Sequence, residues 1–325
     1  MKIALLGAAG FMGRVAAVEL SRRPEVGELI LVDYVIRDAK RMARALSPKC
    51  RWAMADVGRP LELSRLLEGI DAVANAVGPC SEYEKPVLLA CAAMRVAAAS
   101  VGEGALPAAD REEIDAAFRA ADLPAVVGCG MAPGWTELLA AHFLFPAGAP
   151  AESVAAQEPA RFLFFSPDRF GGYAFRRAIA KGSLRAAASP LGAPAGVYFT
   201  TGGDTLIGVP EGKAAKRVAL LAGTIGKLGE VGKEFSAAML LWLRGSMGGP
   251  PGSPAAAAGV SRGGAYARVE DPKGSLGGIL LAETAVRLAS RLPKSTGLLP
   301  LPELIGREEA EAIAVRNGAR ITNTL

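Results

Sequence analysis

Residues 1–33, MKIALLGAAGFMGRVAAVELSRRPEVGELILVD, read as a strand, a glycine turn, a helix and a second strand that ends on an acid. Ile3 to Leu6 form an apolar run of strand length, suited to burial on both faces of a parallel sheet. Gly7, Gly10 and Gly13 follow at GxxGxxG spacing. A strand-to-helix turn of this kind needs three things: a residue free to take positive φ, a backbone without Cβ where a pyrophosphate approaches, and a small residue where helix crosses strand. The helix that follows, from Phe11 through Met12 to about Ser21, aims its N-terminal amides and the positive end of its dipole at the turn. Asp33 stands about 20 residues beyond the last glycine, where a carboxylate accepts hydrogen bonds from an adenosine ribose. Gly7, Gly10, Phe11, Met12, Gly13 and Asp33 are therefore candidate cofactor-binding residues. Asp33 repels a 2′-phosphate, so NAD is favoured over NADP. Arg37, Lys40 and Arg41 follow closely; they either accommodate such a phosphate or form the solvated face of the next helix.

Outward from this unit the same rhythm continues. A helix through about Leu46 leads to a third strand, Arg51 to Ala55, which ends at Asp56 and Val57, the place that borders an adenine. The helix Pro60 to Glu68 leads to a fourth strand, Ile70 to Val77, whose end, Ala76, Val77, Gly78 and Pro79, breaks where a cofactor lies beyond the strand ends. Helix 84–94, strand 95–100, the loop VGEG, helix 110–120, strand 124–127 and the segment GCGMAPGW complete about six alternations, the signature of a doubly wound parallel sheet. From Ala151 to Pro272 the rhythm is lost. RFLFF, GVYFTTGGDTLIGVP and AYARVE read as strands of a mainly antiparallel sheet, with helices at 173–181 and 214–221 among them, and 247–259 reads as a loop. Residues 274–291 are helical again. The expected architecture is an α/β Rossmann domain over 1–133, an inserted α+β substrate and dimerisation domain over 134–273, and C-terminal helices over 274–325 that return to the Rossmann domain.

Composition narrows the chemistry. Half of the 325 residues are hydrophobic, which leaves ample material for a core. The net charge of +5 is mild and forms no basic tail or aromatic-studded stripe, which argues against nucleic acid and for an anionic small molecule. Cys50, Cys80, Cys91 and Cys129 show no CxxC spacing and make no disulfide framework. With His142 the single histidine, a tetrahedral metal site lacks ligands. Glycines end the first apolar run early, and later runs such as Ala237 to Leu243 are far short of a membrane span. A cytoplasmic protein is expected.

Taken together, GAAGFMG, Asp33, DAVANAVGP with PVLLAC, GEG after the fifth strand, GCGMAPGWTELLA and the late TGLLPLPELI resemble the saccharopine dehydrogenase-like oxidoreductases. The resemblance covers the first ~145 and last ~50 residues. It implies a nicotinamide-dependent enzyme acting at a C–N bond of an amino acid or amine, and a homodimer; some relatives instead reduce lipid or polyketide-like C=C or C=O groups. This sequence departs from the family in its fifth strand, where a tyrosine and an aspartate are replaced by Ala97 and Ala99. That loss admits a non-catalytic dinucleotide-binding sensor as a second class of function.

For the proton that accompanies hydride transfer, Glu103 at a strand's carboxyl end and Tyr83 are the candidate catalytic residues. Met131, Arg161 and Arg176 are candidate substrate contacts, the arginines for their forked donors. Cys129, at a strand end before a helix, resembles the nucleophile of semialdehyde dehydrogenases, which require a basic partner. A small buried thiol is the plainer reading. No tyrosine here is followed four residues on by lysine, as short-chain dehydrogenases require, and one histidine cannot supply the histidine-rich segment of dihydrodipicolinate reductases.

Overall fold

Ile3, Ala4, Leu5 and Leu6 are wholly buried at the centre of a seven-stranded parallel sheet, and the rest of the first unit is laid down on either side of them. The structure, a computed structural model, describes residues 1–78, 80–102, 106–144, 160–165, 185–187, 191–194, 196–200, 205–210, 255–291 and 294–324. The strands are β1 (Lys2–Leu6), β2 (Glu28–Val32), β3 (Cys50–Ala53), β4 (Ala72–Asn75), β5 (Ala97–Ser100), β6 (Pro124–Val127) and, late in the chain, β13 (Gly297–Leu298). Their order across the sheet is β13-β6-β5-β4-β1-β2-β3. Chain direction across the sheet therefore reverses between β1 and β4, and that reversal opens the crevice in which a doubly wound sheet binds its ligand. Register is continuous there, with Leu6 opposite both Val32 and Asn75.

Helices α1 (Phe11–Arg22), α2 (Ile36–Leu46), α3 (Pro60–Leu67), α4 (Cys80–Ala93) and α5 (Ala108–Ala120) alternate with these strands. α1 buries Gly13, Ala16, Ala17 and Leu20, an i, i+3, i+4, i+7 stripe that seats it on the sheet. α3 begins with Pro60 at its first position, where a missing N–H costs nothing. On one face, Leu63, Leu67, Val87, Leu88, Ile114 and Phe118 from α3, α4 and α5 meet Ala4, Leu6, Val73 and Ala98 of the strands in a single cluster. Lys85 Nζ on α4 bridges Asp110 at 2.6 Å and Glu113 at 2.7 Å on α5.

Helix α7 (Leu276–Ala289) continues this unit from Gly277 onward. A Cβ at Gly278 would stand 2.6 Å from the Val15 Cβ and 2.8 Å from the Met12 carbonyl oxygen, so α1 and α7 touch backbone to backbone only because glycine is there.

The second unit comprises 135–276 and 305–325. Its sheet runs β14-β12-β11-β7-β10-β9-β8, from β7 (Arg161–Phe165), β8 (Arg185–Ala187), β9 (Gly196–Thr200), β10 (Thr205–Pro210), β11 (Ala256–Arg262), β12 (Ala265–Asp271) and β14 (Arg320–Asn323). All pairings are antiparallel except β7 with β10. Helix α6 (Trp135–His142) packs on β11 and β12, and α8 (Arg307–Arg316) packs on α6 and β14. Asp271, wholly buried, accepts the backbone N–H groups of Lys273 and Leu276 at 3.0 and 2.7 Å and so closes the turn out of β12.

The structure differs from the sequence reading in three places. Ala256–Gly259, expected in a loop, are the buried start of β11; small residues suffice in a strand flanked on both sides by β7 and β12. Gly297–Leu298 form β13, whose register of Gly297 on Pro124 is supplied by β6. The segment 274–325 does not stay together: Gly277–Leu304 group with the first unit, whereas Ile305–Leu325 group with the second, where β14 pairs with β12. The helices read at 173–181 and 214–221 lie outside the described residues.

Candidate dinucleotide site

The glycine turn does what its spacing requires. Gly7 takes φ +74, and a Cβ there would lie 2.8 Å from the Ala76 carbonyl oxygen, so β1 and the end of β4 approach without a side chain between them. The Gly10 N–H donates to Gly7 O at 3.1 Å and closes the turn. A Cβ on Gly13 would collide with Gly7 O, which sets the crossing of α1 over β1. Gly10 caps α1 without a side chain to accept the first amides, and no acid stands in the helix's first turn. The turn is thus shaped to receive an anion.

Above it lies a cleft of about 620 Å³ at the β1/β4 reversal. Of the residues named from sequence, Gly7, Gly10, Asp33, Asp56, Val57, Ala76, Val77, Gly78 and Tyr83 line it. Phe11 is half exposed at the helix start, and Gly13 is buried beneath the turn. Met12 turns its Sδ towards α7, 3.3 Å from where a Gly277 Cβ would be. Pro79, Glu103 and Arg176 lie outside the described residues.

Asp33 is held in place by the backbone. One carboxylate oxygen accepts the Ala9 N–H at 2.8 Å and the other the Val35 N–H at 2.9 Å, so the acid links the glycine turn to the end of β2. Asp56 accepts the Gly58 N–H at 2.9 Å and pairs with Arg59 at 3.5 Å. Tyr83 packs partly into the α3/α4/α5 cluster, with Cε1 3.6 Å from the Cβ position of Gly58.

Sequence reasoning missed three polar residues here. Asn75, buried at the end of β4, donates from Nδ2 to Ser100 Oγ at 3.1 Å and accepts the Val77 N–H at 3.2 Å, which fixes the cleft-lining turn. Its signal is the lone amide in DAVANAV. Glu84 is almost wholly buried at the start of α4, with Oε1 3.2 Å from the Cβ position of Gly102; a carboxylate heading an apolar helix is its signal. Asp38 lines the cleft beside Asp33 and was hidden in the basic run around it.

The remaining candidates are placed as follows. Met131 is buried in the first unit within a tight loop in which Gly130 N–H donates to Pro133 O at 3.0 Å. Arg161 is exposed at the start of β7 in the second unit. The Cys129 thiol is wholly buried and donates to Val126 O at 3.8 Å; His142 Nε2 sits 3.0 Å from Ile305 O. The first geometry is that of a packed core group, and His142 is half-buried at the end of α6. Burial alone pushes the Cys91 thiol up to about 12, so it stays protonated and inert.

Fold and cleft together define a Rossmann-type dinucleotide-binding protein. Residues 3–117 match the family model described as the saccharopine dehydrogenase NADP binding domain. Among solved structures, an apo saccharopine dehydrogenase (L-Glu forming) from Saccharomyces cerevisiae is similar over 100% of both chains, at TM-score 0.59 and 11% identity, a likeness of fold. A serine dehydrogenase from Escherichia coli matches 39% of this chain and 80% of its own, at TM-score 0.31 and 11% identity. Residues 3–117 are thus similar to the dinucleotide-binding domain of saccharopine dehydrogenases, and the whole chain shares that enzyme's fold. The description of the matched family names NADP, where Asp33 had suggested NAD.

Proposed function

We propose that the protein transfers hydride between NAD(P) and a small or medium anionic substrate at a C–N bond, the amine or imine of an amino acid. The observation that carries this reading is the cleft at the β1/β4 reversal, where the glycine turn, Asp33 and the end of β4 converge. The C–N bond is what the resemblance of the sequence motifs to the saccharopine dehydrogenase-like oxidoreductases implies. When bound, the nicotinamide ring itself gives or takes the hydride. The chain's own residues position and protect. Gly7 and Gly10 admit a pyrophosphate to the amides of α1, and Asp33 accepts from a ribose hydroxyl, which favours NAD. Val57, Ala76 and Val77 keep water from the apolar parts of the cofactor. Glu103 moves the proton, and Tyr83 hydrogen-bonds substrate or cofactor. Met131 borders the substrate, while Arg161 and Arg176 hold its carboxylate. We read the protein as a cytoplasmic homodimer; its four cysteines are free thiols, in keeping with a reducing compartment.

The test is loss of nicotinamide absorbance when NADH or NADPH is supplied with α-keto acid and amine pairs, and its gain when NAD or NADP is supplied with amino acids. Turnover with at least one pair is expected. Tight cofactor binding with no hydride transfer to any amine, imine or enone would replace the enzyme with a dinucleotide-binding sensor.

A further inference from the structure

At the ribose end of the cleft, three guanidiniums converge on one carboxylate. Asp38, in the first turn of α2, is 18% exposed at its side chain and lines the cleft. Arg37 Nε is 3.4 Å from its Oδ1, an Arg41 terminal nitrogen is 3.6 Å from the same oxygen, and an Arg14 terminal nitrogen is 3.8 Å from Oδ2. Lys40 is occupied elsewhere, with Nζ 5.0 Å from the centroid of the Trp52 ring.

We propose that Asp38 is the residue that sets dinucleotide preference: it is a built-in anion that holds Arg14, Arg37 and Arg41 and competes for them with a 2′-phosphate. The proposal rests on the reading of the cleft as a dinucleotide site. Among the described ion pairs Asp33 holds none of these arginines; each of its oxygens accepts one backbone N–H and keeps a lone pair for a ribose hydroxyl. The Asp38 pairs are long, and their arginine side chains are 52–85% exposed; pairs of that kind are worth little each. A phosphate monoester carries up to about two charges and three acceptor oxygens, so it outbids a single carboxylate for arginine forks. Such a ligand nevertheless meets the charge of Asp38, which a plain ribose does not. NAD and NADP are therefore both admitted, and the carboxylate of Asp38 restrains the second. This also reconciles a matched family described by NADP with an acid at position 33.

The experiment is calorimetric titration of the full chain with NADH and with NADPH, before and after Asp38→Asn. The ratio of NADPH to NADH affinity is expected to rise about tenfold, or about 1.4 kcal/mol. Arg41→Gln is expected to lower the same ratio, as is added salt on the unaltered protein. An unchanged or reduced ratio in Asp38→Asn, or a ratio insensitive to both Arg41→Gln and salt, overturns the proposal. If the unaltered chain binds neither dinucleotide, the reading of the cleft falls and the role of Asp38 with it.

Discussion

Two residues at the glycine turn bear most directly on the site. Gly7 combines φ +74 with a Cβ position 2.8 Å from a carbonyl oxygen, so Gly7→Ala imposes both backbone strain and a clash that only backbone movement relieves. A loss of about 1–3 kcal/mol in unfolding free energy is expected from urea titration, together with weaker cofactor binding. Asp33→Ala removes the acceptor of two backbone N–H groups and, on the proposed reading, the ribose contact as well. These positions were legible from sequence because each answers a demand the backbone makes of one residue type. Asn75 and Asp38 were not. An asparagine within an apolar strand carries no periodic signal, and Asp38 matters through Arg41 one helical turn on and through Arg14, which comes near it only once α1 and α2 are folded on their strands.

At the scale of elements, β1 and the α1–α7 contact hold the first unit together. Leu5→Ala, at a wholly buried position, is expected to cost about 2–5 kcal/mol. Gly278→Val should cost about 1–3 kcal/mol by overpacking, since the Val15 Cβ and the Met12 carbonyl stand within 2.8 Å of the new Cβ; midpoints in urea measure both. The edge strand β13 is pinned by Asp115, which accepts from Arg119 Nε at 2.8 Å and from the Leu298 N–H at 2.7 Å. The Arg119 hydrogen bond, with that from Leu298, holds the Asp115 carboxyl below its usual range. Because the folded value is depressed, this contribution is full above the unfolded carboxylate value of about 3.9 and is lost as pH falls through the folded one. Asp115→Asn is therefore expected to destabilise at neutral pH and to converge on the unaltered protein in acid, as unfolding free energies at the two pH values would reveal. The long strands and helices of 1–133 were readable because their periodicity is strong. β13 and β14 were not: neither belongs to a strand–helix alternation, and their register is set by pairing with β6 and β12.

For the whole molecule, the change of rhythm after Ala151 correctly announced a second unit on a mainly antiparallel sheet. It did not announce that the chain would leave the first unit again after Leu304, because the residues that decide this are pairing partners in β12, as with Val269 opposite Ile321, far earlier in the chain. A ligand confined to the first unit should raise that unit's stability by about 2.7 kcal/mol at a hundredfold excess over Kd, visible as a cofactor-dependent shift in thermal unfolding. The central claim, that the β1/β4 cleft binds a nicotinamide dinucleotide through the glycine turn and Asp33, is tested most directly by fluorescence titration with NADH. Saturable binding to the unaltered chain is expected, weakened about tenfold or more in Asp33→Ala; absence of binding of both NADH and NADPH, or equal affinity in the variant, would contradict a nicotinamide dinucleotide site there.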